Sequence, residues 1–143
     1  MKITRLSAVV FAVSLSISLL HPVAAAAPAA KEKVVFQVSD ADPAKWSLAL
    51  NNVKNVQQEI GADKSEIEIV VYGPGIGMLK AGSPVAARVD EAKKAGVAIV
   101  ACQNTMASMK LTEVDMLANT SYVPAGVIEL MHKQKDGYAY IRP

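Results

Sequence analysis

The chain holds one cysteine, Cys102, and its thiol is the side chain best placed to do chemistry. It closes the apolar run Val97-Ala-Ile-Val-Ala101, and either Asn104 or Thr105 just beyond it can cap a helix running through Met109. Open α/β sheets hold their ligands at such strand-to-helix junctions. Backbone N–H groups and the helix dipole there favour negative charge, and the thiolate is the reactive form of cysteine. Cys102 is therefore the candidate reactive residue, with Asn104 and Thr105 as the helix N-terminus that supports its thiolate. Two uses of the sulfur follow. One is covalent, in which the thiolate accepts a sulfur atom or forms a mixed disulfide. The other is ligation of Cu(I), since Met106 lies one helical turn beyond Cys102 and Met109 further on. Methionine also fills irregular core gaps, and that reading outweighs copper. An inert buried thiol is the bland alternative for Cys102. Asp40 and Asp42 weigh against activation: if their strand neighbours that of Cys102, their charge raises the thiol pKa.

Other chemistries lack their residues. His132 is the one histidine beyond residue 21, so a zinc site of three or four His/Cys ligands cannot form within one subunit. It reads as a surface residue of its helix. No nucleophile-elbow motif accompanies it for a Ser-His-Asp arrangement. A dithiol–disulfide mechanism needs a resolving cysteine that the chain lacks. Gly73-Pro-Gly-Ile-Gly77 invites a phosphate-loop reading, but the glycine spacing is wrong, Pro74 removes an N–H and no Lys-Ser/Thr pair follows. A turn in which the backbone passes close to something fits better. No cofactor and no metal is expected.

The elements that must position Cys102 alternate between strand and helix. Lys33–Val38 reads as the first strand, and Asp42-Pro43 opens a helix with Trp46, Ala49, Leu50, Val53, Val56 and Ile60 at helical spacing before Gly61. Asn51, Asn52 and Asn55 flank that stripe as surface polar residues. Glu66–Tyr72 is the second strand. Ser83-Pro84 repeats the cap-then-proline signal, with Val85, Ala86, Val89 and Ala92 inward. Val97–Ala101 is the third strand, buried on both faces. Thr112-Glu-Val-Asp115 suggests a capping box. Ser121–Val123 is a fourth strand, Pro124–Gln134 a helix with Val127, Ile128 and Met131 inward, and Tyr138–Ile141 the last strand. Such alternation means βαβ units and a mainly parallel sheet covered on both faces.

The bulk of the sequence sets the context. Lys2 and Arg5, the apolar stretch Ala8 to Leu20 and the small residues up to Ala27 form a secretory signal peptide over residues 1–25, cleaved after Ala25 or Ala26. The apolar stretch is too short to span a bilayer, so no membrane association is expected after cleavage. Residues 26–32 read as a tail and 33–143 as one domain. Beyond the signal, 13 basic residues (the 15 of the whole chain less Lys2 and Arg5) face 13 acidic ones without clustering, which disfavours nucleic-acid binding. An exported domain with a single cysteine has no disulfide framework; its thiol is reactive, inert or paired with another chain.

The segments Gln37-Val-Ser-Asp-Ala-Asp-Pro-Ala-Lys-Trp46, Ala49-Leu-Asn-Asn-Val-Lys-Asn55, Tyr72-Gly-Pro-Gly75, Ala101-Cys-Gln-Asn-Thr-Met106 and Gly137-Tyr-Ala-Tyr-Ile-Arg-Pro143 together resemble the exported branch of the DsrE/DsrF-like family, small α/β proteins of sulfur oxidation and sulfur relay. The resemblance implies a three-layer α/β/α fold with a five-stranded parallel sheet, and homo-oligomers, often trimers or hexamers. It also implies that Cys102 matches the cysteine that carries a persulfide in relay members. The signal peptide is a departure: it predicts the periplasm of a Gram-negative bacterium, whereas the well-understood relay members act in the cytoplasm. Sulfur donor and acceptor therefore do not carry over.

Overall fold

Five short runs rich in β-branched and aromatic residues become strands: β1 (Glu32–Val38), β2 (Ser65–Val71), β3 (Ala98–Cys102), β4 (Ser121–Val123) and β5 (Ala139–Ile141). Four α-helices connect them: α1 (Pro43–Ile60), α2 (Ala86–Lys94), α3 (Gln103–Ser108) and α4 (Gly126–Lys135). These bounds come from a computed structural model that describes residues 30–143. The expected signal peptide and residues 26–29 of the tail lie outside the described residues.

The strands form one all-parallel sheet in the order β4-β3-β2-β1-β5. β1 and β2 pair along seven residues, from Glu32↔Ser65 to Val38↔Val71. β3 is interior, between β2 and β4, so its run is apolar on both faces. Helices cover the two faces unequally. α1, α2 and a 3-10 helix (Gly73–Leu79) bury the larger core, which includes Phe36, Trp46, Leu50, Ile69, Ile76 and Ile99. On the other face Leu130 of α4 packs on Val35, Val70 and Val100, with Tyr138 beside them.

Local signals are realised unevenly. Asp42 caps α1 as its sequence indicates, its Oδ1 accepting the Ala44 N–H at 2.8 Å with Pro43 in the first turn. Ser83-Pro84 does not open α2. Ser83 instead closes a turn, its carbonyl accepting the Ala86 N–H at 3.1 Å, and the helix starts at Ala86 without a side-chain cap. The Gly73–Gly77 segment is helical, and its close approach is real: a Cβ on Gly75 would stand 2.5 Å from the Val38 carbonyl oxygen.

The largest correction concerns α4. Val127, Ile128 and Met131, expected inward, are 52 %, 47 % and 48 % exposed. Gly126 and Leu130 are buried instead, and Lys133 turns to the sheet to meet Glu68 at 2.7 Å. The inward positions 126, 130 and 133 share a face at helical spacing. One of them is a lysine and one a glycine, so hydrophobicity alone selects the wrong side.

Candidate functional site: a thiol at two helix starts

β3 runs one residue further than its apolar run suggests and ends on Cys102. Cys102 is then itself the N-cap of α3: its Sγ accepts the Thr105 N–H at 3.4 Å. Neither Asn104 nor Thr105 caps the helix. Thr105 supports the sulfur in two ways. Its Oγ1 accepts the Gly73 N–H at 2.8 Å, which leaves its own hydroxyl hydrogen free for Sγ, and its backbone N–H is the capping donor. Asn104 contributes less. Its N–H is committed to the Pro124 carbonyl at 3.1 Å, and its side chain is exposed.

A further donor comes from a different element. The backbone N–H of Gly126, the first residue of α4, helps to lower the pKa of the Cys102 thiol. The starts of α3 and α4 thus lie side by side at the end of β3, where Cys102 pairs with Val123 and the Asn104 N–H meets the Pro124 carbonyl at 3.1 Å. The sequence did not point to Gly126, because Cys102 and α4 are brought together only by the pairing of β3 with β4, in which Cys102 is opposite Val123. The proline two residues before Gly126 signals a helix start but says nothing of what that start faces. Space is tight there: a Cβ would sit 3.0 Å from the Tyr72 Cβ, so a larger residue requires that side chain to shift by a few tenths of an ångström.

Cys102 is 5 % exposed. Burial is the largest influence on its thiol and pushes the pKa up. The Thr105 hydroxyl, the Gly126 N–H, the Thr105 N–H and, least, the Asn104 N–H together outweigh it, so the thiol lies below its ordinary value. The opposing carboxylates do not materialise: β2 separates β1 from β3, and Asp40 is engaged with Lys45 at 3.5 Å and Arg142 at 3.4 Å.

The two methionines part company. Met106 is buried in the larger core and Met109 is 45 % exposed, so Met106 fills the core. His132 is exposed on α4. Among the described residues no group of three or more His, Cys, Asp or Glu could hold a metal ion.

Fold and site define a class: a parallel five-stranded α/β/α protein with a hydrogen-bonded thiol at the carboxyl end of an interior strand. The chain belongs to the DsrE/DsrF-like family, whose model matches residues 32–143; the family is associated with sulfur relay. Among solved structures it is similar to a protein of unknown function from Methanobacterium thermoautotrophicum, 31% identical over 79% of this chain and 100% of that one, with a TM-score of 0.75. A conserved protein of unknown function from Bacteroides thetaiotaomicron shares the fold at 14% identity and a TM-score of 0.65, over 78% of this chain and 95% of that one. No curated protein matches the chain.

Proposed function

We propose that Cys102 is a single-cysteine acceptor and carrier of sulfane sulfur. The observation that carries this reading is the Thr105 N–H held at 3.4 Å from the chain's one thiol at a strand-to-helix junction, where the Thr105 hydroxyl and the Gly126 N–H further favour the thiolate. In the forward step the thiolate attacks the outer sulfur of a persulfide or polysulfide donor. The donor's S–S bond breaks, the donor leaves as a thiolate, and Cys102 becomes a persulfide. The same donors then hold the terminal sulfur anion. Release is the reverse step on an acceptor thiol, which a partner must supply because the chain has no second cysteine. No net oxidation occurs. Such a protein is a carrier with little turnover of its own.

The test is to incubate the mature protein with polysulfide and measure its mass with and without reductant. Additions of one or more sulfur atoms that reductant removes, and that are absent from Cys102→Ala, are expected. A thiol that stays unmodified until the protein is denatured removes the carrier reading.

The 5 % exposure of Cys102 favours a second reading, in which the thiol is inert and the protein is a non-catalytic oligomeric binding or assembly module. That reading expects Cys102→Ser to leave the physiological interaction intact.

Self-association is part of both readings, and the exposed stripe Val127, Ile128 and Met131 offers the surface for it. We also infer export to the periplasm, motivated by the signal-like residues 1–25. Intact mass of the native protein is expected to place its N-terminus near Ala26; a soluble protein retaining Met1 would overturn this.

A further inference from the structure

α4 is held on β2 at two points. At its start, Gly126 lies against the Tyr72 side chain, too close to admit a Cβ without displacement. Two turns later the Lys133 Nζ meets the Glu68 Oε2 at 2.7 Å. The helix rises about 10.5 Å from 126 to 133, and the strand about 13 Å from 68 to 72. The helix therefore runs antiparallel over β2, with Leu130 packed between the two points on Val35, Val70 and Val100.

The pair is a poor device for stability. Glu68 is 5 % exposed, and its Oε1 has no hydrogen-bond partner. Buried ion pairs with unsatisfied atoms are commonly no better than apolar residues, and their best-attested use is to fix register. An apolar contact slides at little cost; a charge pair has one seat. Charged and titratable groups surround this seat from every side. Glu129 on α4 lies 3.8 Å from Nζ, and the Tyr138 ring centroid 4.9 Å from it. Glu66 of β2 accepts the Tyr138 hydroxyl, and Lys33 of β1 lies 5.4 Å from the same ring. The two halves are balanced differently. Burial outweighs Lys133 at Glu68 and raises its carboxyl, whereas Glu68, Tyr138 and Glu129 together outweigh burial at Lys133 and hold its ammonium.

We propose that the Lys133–Glu68 pair is a positioning device for the thiol: it seats α4 on β2 so that the Gly126 N–H reaches the Cys102 sulfur. This rests on the reading of Cys102 as the working group and names two residues that act on it without touching it.

The pH midpoint of thiolate absorbance in the full mature chain, with Cys102→Ala as blank, tests the proposal without requiring reagent access to the sulfur. Positioning predicts that Glu68→Gln and Lys133→Met both move the midpoint upward, with about a threefold fall in thiolate fraction at fixed pH. Lys133→Arg is expected to restore most of it. Direct charge effects through space predict opposite signs instead: loss of the carboxylate favours the thiolate and loss of the ammonium opposes it. Opposite signs, or no movement in either variant, overturn the proposal. Should Lys133→Met fail to fold, the sign for the isosteric Glu68→Gln decides alone. The readout is also independent of sulfur uptake. A wild-type thiol that ionises as expected but refuses polysulfide removes the carrier reading and leaves the positioning role standing.

Discussion

At the sulfur atom, the balance is between one penalty and several donors. Burial disfavours the thiolate, while hydrogen bonds to an anion are about twice as strong as those between neutral groups. Thr105 gives two of these donors, and its hydroxyl is oriented because Oγ1 is already occupied by the Gly73 N–H at 2.8 Å. Thr105→Val removes that hydroxyl and orphans the Gly73 N–H. The thiolate fraction at fixed pH is expected to fall about tenfold, the equivalent of one charged hydrogen bond, with Thr105→Ser close to wild type. The same change has a stability signature. A thiol whose pKa is depressed on folding adds stability that is present above the ordinary thiol value and is lost as pH falls through the folded value. Thr105→Val is expected to flatten that rise in a denaturant series across alkaline pH. An unmoved thiolate profile would show that Thr105 does not hold the sulfur.

Among the elements, the 3-10 helix Gly73–Leu79 matters most to the site after α3 and α4, because its first N–H orients Thr105. It lies against the end of β1 so closely that Gly75→Ala drives the new Cβ into the backbone, 2.5 Å from the Val38 carbonyl oxygen. A loss of about 3 kcal/mol is expected, at the upper end for overpacking, together with slower thiol chemistry. Gly82→Ala is the control: its φ of 82° strains a side chain, but nothing lies within 4 Å, so about 1 kcal/mol is expected, the cost of a left-handed backbone alone. Urea midpoints distinguish the two, and equal losses would contradict the close approach. The chain announces most of these elements. The β-branched runs, the Asp42-Pro43 start and the Cys102 junction depend on neighbours in sequence, and they stand where local pattern places them. What local pattern could not supply depends on strand order. Asp40 and Asp42 are remote from the thiol because β2 intervenes. The Gly126 N–H arrives through β4. The true inward face of α4 contains Lys133, whose partner Glu68 lies 65 residues earlier in the chain and is itself buried against every expectation for glutamate. The cap of α3 is illegible for a different reason: a sulfur atom takes a place that local preference gives to oxygen.

At the scale of the molecule, the two faces of the sheet are finished differently, and that asymmetry bears on assembly. The α1/α2 face buries a large core, while the α4 face buries a small one and leaves Val127, Ile128 and Met131 exposed. Three large apolar side chains on one helix are a contiguous patch of the kind that marks an interface. Closed symmetric homo-oligomers are the commonest assemblies of such chains. Because α4 also begins beside the sulfur, the proposed association through its outer face would use the side of the helix opposite the one that faces Cys102. The exposed stripe and the inward positions 126, 130 and 133 can therefore be altered separately. Ile128→Lys and Met131→Lys are expected to shift the protein to monomer at micromolar concentration by light scattering, with the monomer still folded by circular dichroism, because both positions are exposed. If the inner face alone seats the helix, the thiolate midpoint of these monomers stays at the wild-type value. A wild-type protein already monomeric at that concentration removes the assembly claim. A monomeric variant whose thiolate midpoint moves upward would instead show that a second subunit, and not Lys133 alone, holds α4 in place.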